Sequence, residues 1–159
     1  MASPASVARH PIHPMLIPFP VGLFVFSLAC DVAARLGAPP AFGDMAYWAM
    51  VGGVVGALVA AVPGFIDFLS IRDPKAQRTG LIHMGLNLTI VVLYLVNLYL
   101  RTGMPPVVPP APFILSIVAV GLLVVSGWFG WALVYEHGVG ISGETEIAIA
   151  ARRRKDHAA

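Results

Sequence analysis

Charge is what this chain lacks. Asp, Glu, Lys and Arg make up 11% of its 159 residues, where a soluble domain carries about a quarter. So few charges cannot clothe a water-facing surface, and a water-soluble globular fold is excluded. Disorder is excluded too, because disordered chains are polar and charged and this one is 58% apolar. Cysteine is nearly absent. Cys30 stands alone, so no internal disulfide forms, and the residue reads as a small apolar filler. The 16 glycines follow no period of three, which removes a collagen-like repeat. Enzyme signatures are also missing: there is no G-x-S-x-G, no H-E-x-x-H and no phosphate-cradling glycine loop. A nucleic-acid partner would need a soluble basic surface bearing aromatics, and the chain has none.

What the chain does have is long apolar runs. A hydrocarbon core of roughly 30 Å takes about 20 apolar residues in a helix. Four stretches qualify, at about 15–36, 45–69, 80–100 and 112–135. Their short connections predict an all-α integral membrane protein, an up-down four-helix bundle in contact with the lipid bilayer. The domain plan is a cytoplasmic His/Pro segment over 1–14, a transmembrane domain over 15–136 and a cytoplasmic basic tail over 137–159. Seven of the ten basic residues fall in 72–78 and 152–155. With four spans, eight basic residues share the side of the termini and only Arg35 and Arg101 lie opposite. The positive-inside bias therefore places both termini in the cytoplasm. A short helix is expected over 144–154, and its basic run serves as a topology anchor.

Packing signals follow. Gly52, Gly56, Ala60 and Gly64 recur every four residues. They form a small-residue ridge that lets a neighbouring backbone approach closely, inside this bundle rather than across a dimer seam. Pro11, Pro14, Pro18 and Pro20 disturb the start of the first span, and Pro63 disturbs the second. Each removes a backbone donor. Irregular backbone at membrane depth belongs where protein covers it or a cavity opens, so a site is expected at that end.

Ionisable residues inside spans are costly and default to function. Topology puts His10, His13, Asp67, His83, Glu136 and His137 at one membrane level. The third span adds a face: His83, Asn87, Ile90, Tyr94 and Asn97 are spaced four, three, four, three. That spacing keeps them on one side of a helix over about 21 Å. At the opposite level Asp31 and Arg35 suit a local ion pair.

Imidazoles hold haem iron or transition metals. One reading is a haem b site of His13, His83, His137, Asp67 and His10, with Asn87 lining the pocket one turn deeper. The other is a bare transition-metal ion held by His13, Asp67, His83 and His137. Either would support electron transfer with a redox partner protein. The alternatives are a small transporter or proton pathway, which would act as a homo-oligomer, and a structural or accessory membrane subunit.

The motifs resemble a known family. His10-Pro11-Ile12-His13-Pro14, Pro63-Gly64-Phe65-Ile66-Asp67, Gly80 to His83 with Asn87, and Tyr135-Glu136-His137-Gly138-Val139-Gly140 resemble a bacterial transmembrane family catalogued as domain of unknown function 2231. The resemblance implies a four-helix inner-membrane protein without an established activity. Some of its relatives look joined to electron-carrier modules, which implies redox work.

Overall fold

Pro18, Pro74 and Pro110 each open a long helix. At that position the missing N–H is one the helix leaves unbonded anyway. A computed structural model describes residues 3–8, 10–103 and 109–141. Two short strands, β1 (Ser6–Val7) and β2 (His10–Pro11), pair antiparallel. They lead into α1 (Ile12–Leu16), α2 (Pro18–Arg35), α3 (Ala41–Leu69), α4 (Pro74–Leu100) and α5 (Pro110–Tyr135). Four stretches are long and apolar enough to cross a membrane: Ile12–Arg35, Ala41–Leu69, Pro74–Leu100 and Pro110–Tyr135. Each begins a few residues earlier than the apolar run alone suggests, because its first turn is built from polar or proline positions. Asp73 caps α4, its carboxylate accepting the Lys75 N–H at 3.2 Å. The proline-rich opening stays helical on both sides of Ile17.

The helices pack as two pairs. Contacts are dense between α2 and α3 and between α4 and α5, and sparse from one pair to the other. Within the first pair, Ser27 Oγ donates to the Ala46 carbonyl at 2.9 Å. Gly52 lies beneath Leu23, Gly53 beneath Phe24 and Gly56 beneath Pro20. The small-residue ridge thus works inside the bundle, as its spacing suggests. The core gathers Phe24, Met50, Val54, Ile90, Val91, Tyr94 and Ala119, with Phe24 and Tyr94 stacked at 3.9 Å. The outward residues are large and apolar: Val124 is 72% and Trp128 70% exposed. Lipid suits such a surface, and water does not.

At one end of the core a charge network joins the pairs. Asp31 and Arg101 are buried. The Arg101 guanidinium donates to both Asp31 oxygens, one bond measuring 2.8 Å. Arg101 Nε donates to Asn97 Oδ1, and Asn97 Nδ2 donates to the Pro112 carbonyl and Ser116 Oγ, all at 2.8 Å. This corrects the sequence reading of Asp31 as the local partner of Arg35. Its principal partner lies 70 residues away, and the Arg35 guanidinium sits 4.2 Å from the Phe113 ring. A buried carboxylate needs a desolvated cation with several donors, and Arg101 supplies a fork. The tail expected to be helical over 144–154, its basic run and Arg9 lie outside the described residues.

Candidate functional site

At the other end the two pairs draw apart around a cavity of about 460 Å³. Its walls come from α1 and α2, α3, α4 and α5, and they are largely apolar. His13, Asp67, His83, Asn87 and Ser126 are the polar side chains among them.

His13 stands on α1 and leans onto α3, where its Nδ1–H donates to the Ala60 carbonyl at 2.8 Å. Pro63 lies on the same turn of α3, and its ring and missing N–H loosen the carbonyls there. Room for the imidazole comes from Gly64: a Cβ at that position would lie 2.6 Å from His13 Nδ1. His83 repeats the arrangement on the second pair. Its Nδ1–H donates to the Ser126 carbonyl of α5 at 2.9 Å. A Cβ at Gly130 would stand 3.1 Å from its Cε1. In both cases the accepting carbonyl belongs to the residue four before a glycine.

These bonds set the tautomers. A carbonyl oxygen can only accept, so both rings carry their proton on Nδ1 and keep a lone pair on Nε2. Among the described residues, His13 Nε2 has no hydrogen-bond partner. His83 Nε2 faces Asn87 Nδ2 at 3.2 Å. That amide has two hydrogens and two nearer acceptors, the His83 carbonyl at 2.8 Å and Ser126 Oγ at 2.7 Å. With its proton on Nδ1, His83 Nε2 is the third and longest-range acceptor of that amide. The two rings meet edge to face, with centres 6.4 Å apart and planes at 90°.

The other expected residues have different work. Asp67 lines the cavity, but its Oδ1 accepts Ser3 Oγ–H at 2.6 Å and the Ala5 N–H at 3.1 Å. His137 lies against the start of α4, Nε2 being 3.1 Å from Thr79 Oγ1 and Nδ1 3.9 Å from the Asp73 carboxylate. His10 is exposed and turns back to the Ala8 carbonyl at 2.9 Å. Among the described residues no three or more His, Cys, Asp or Glu come together as metal ligands. Of the expected set, the structure brings together His13, His83 and Asn87. Sequence reasoning missed Ser126 and the seating role of Gly64 and Gly130. The signal available for Gly64 was its place in the small-residue ridge. For Ser126 and Gly130 there was only the polar residue four before a glycine in an apolar span.

A histidine that holds a metal commonly donates its other N–H to a carbonyl or carboxylate; His13 and His83 each make such a bond through Nδ1.

No curated protein and no solved structure matches the chain. The profile of one family does match, over residues 9–143, and its description is "Predicted membrane protein (DUF2231)". That stretch holds every helix among the described residues and both imidazole seats, and the chain belongs to this family of membrane proteins of unknown function.

Proposed function

We propose that this protein is a small membrane cytochrome, in which His13 and His83 hold one haem b between the two helix pairs. The observation that supports the reading is a pair of imidazoles from the two helix pairs, each tied through Nδ1 to a backbone carbonyl, with ring centres 6.4 Å apart in a largely apolar cavity. Haem would draw one or two ligands from the chain, and His13 and His83 would be those ligands. A bare transition ion asks the side chains for more, and Asp67, His137 and His10 are engaged elsewhere.

Bound haem supplies one-electron chemistry at its iron. The chain's own residues do the rest. The Ala60 and Ser126 carbonyls hold the rings in one tautomer. Asn87 bonds Ser126 Oγ and its own helix, and its amide would have to give up its longer contact with His83 Nε2 for that nitrogen to bind. Phe24, Ile90 and Val91 close the deep wall against water. The transport reading has less support. The polar face of α4 is interrupted beyond Asn87 by Ile90 and by Tyr94 stacked on Phe24, and Asn97 is spent in the ion-pair network.

The reading includes an up-down order of spans in a bacterial cytoplasmic membrane, with both termini inside. Pairs such as Ser27–Ala46, His13–Ala60 and His83–Ser126 support that order. Arg72, Lys75 and Arg78 at the histidine end support the orientation. A redox partner protein would meet this end.

The test is spectroscopic. The untagged protein, expressed with haem supply and purified in mild detergent, should give a sharp reduced-minus-oxidised haem spectrum. His13→Ala or His83→Ala should abolish it, and His137→Ala should leave it intact. A featureless spectrum from the parent chain discards the reading.

A further inference from the structure

The water-side mouth of the cavity is closed by a piece of chain that belongs to no helix. Residues 3–8 lie against the end of α3 and lead through the β1–β2 pairing into α1, which carries His13. Ser3 Oγ–H and the Ala5 N–H both donate to Asp67 Oδ1. The Ala5 carbonyl accepts the Ile12 N–H at 3.0 Å, and Ala5 is buried. Across the mouth, Gly140 follows α5 at φ +80°, and a Cβ there would lie 3.7 Å from Pro11. Pro11, Asp67 and Gly140 all line the cavity.

The hold on this strap is local. A hairpin of two residues in each strand is not stable by itself. Ala8 sits at φ +49°, in the left-handed region that alanine rarely adopts. Beyond Ala5 the strap turns to water, Val7 being 66% exposed. Asp67 is where it is fastened. That residue stands in the last turn of α3, where a carboxylate opposes the helix macrodipole. Among the described residues no lysine or arginine pairs with it, and its side-chain partners there are the two strap donors. His13 is seated by the Ala60 carbonyl and needs no acid at this position; fastening the strap does.

We infer that residues 3–8, together with Pro11, are a lid on the water-side mouth of the cavity, and that the Asp67 carboxylate is the latch that holds it shut. With the latch fastened, the His13–His83 pair is shielded from water. With it released, the mouth admits polar or charged solutes that the lipid side would not pass. The lid goes beyond the haem reading and does not depend on it, because it concerns access to the cavity whatever the cavity holds.

The experiment uses the full chain, expressed without haem supply and reconstituted in phosphatidylcholine nanodiscs, so that both ends meet water. Cys30→Ala removes the native thiol, and Met84→Cys places one on the cavity wall. Two water-soluble methanethiosulfonates, one cationic and one anionic, probe it. In Asp67→Ala both should label the introduced thiol roughly tenfold faster than in the parent, the order expected when a closing equilibrium loses the hydrogen bonds of one ionised group. Ser3→Ala, which keeps the Ala5 bond, should fall between the two. In a chain that retains Cys30 and Met84, the buried Cys30 at the far end should stay unlabelled in every variant, which shows that the lid opens and the bundle does not. The lid is overturned if the Asp67 and Ser3 variants label at the parent rate, or if the two reagents shift in opposite directions, which is the lost charge acting alone. It is also overturned if Cys30 becomes reactive along with the introduced thiol, since Asp67 would then be holding the bundle. These rates are read without haem, so a parent chain that gives no haem spectrum discards the haem reading and leaves the lid standing.

Discussion

The two ends of this bundle are joined in opposite ways. At one end Asp31, Arg101, Asn97 and Ser116 bridge the helix pairs with a network in which each of these side chains bonds another. At the other end His13 and His83 face each other across the same divide without a bond between them, each tied only to its own pair. Buried polar groups are normally satisfied. At the histidine end His13 Nε2 has no partner among the described residues and His83 Nε2 has only the Asn87 amide at 3.2 Å, which is why the proposed ligand is placed there.

The comparison can be broken most sharply at the ion-pair end. Arg101→Met leaves Asp31 as an uncompensated buried charge and should cost ~3–5 kcal/mol, whereas adding Asp31→Leu should recover most of that loss. Denaturation in detergent micelles checks both. At the other end the order reverses. His83→Ala should lower the stability of the haem-free protein by only about 1 kcal/mol, the worth of one net hydrogen bond. It should also remove the ~2.7 kcal/mol by which haem at a hundredfold excess over Kd stabilises the parent chain. Thermal melts with and without haemin separate the two contributions.

Smaller effects sharpen the picture. Gly64→Ala puts a methyl 2.6 Å from His13 Nδ1 and should weaken haem binding roughly tenfold, or ~1.4 kcal/mol. Gly130→Ala, at 3.1 Å from His83 Cε1, should weaken it less. Titration with haemin ranks them, and equal affinities for both variants would show that the glycines do not seat the rings. Ser126→Ala keeps the backbone carbonyl that holds His83 but releases an Asn87 hydrogen to turn toward Nε2. Haem affinity should fall a few-fold, about 0.5–1 kcal/mol, and Asn87→Leu in the same chain should restore it.

Much of the architecture was legible because apolar length and polar spacing are local properties. The four spans and the inward face of Ile90, Tyr94 and Asn97 follow from the run of residues along one helix. The ion pair was not legible in the same way. Asp31 had a plausible partner four residues on, and nothing local marks Arg101, at the edge of a loop, as the buried cation. The site was legible in part. Depth alone gathers the histidines at one level, but depth says nothing about position around the bundle axis. His137 and His10 share the level of His13 and His83 and sit elsewhere on the circumference. The Asp67 latch was hidden because Ser3 and Ala5 belong to a segment without periodicity.

The recurring seat, a helix carbonyl four residues before a glycine, has a wider consequence. Ala60 with Gly64 and Ser126 with Gly130 make each helix pair a finished half-socket, which needs no residue of the other pair to orient its imidazole. Manufacture is thereby modular: the halves can be perfected one at a time, and only their meeting creates a place for a ligand. A chain cut in the link between α3 and α4, its halves produced together, should still mate around haem, while neither half alone should show colour.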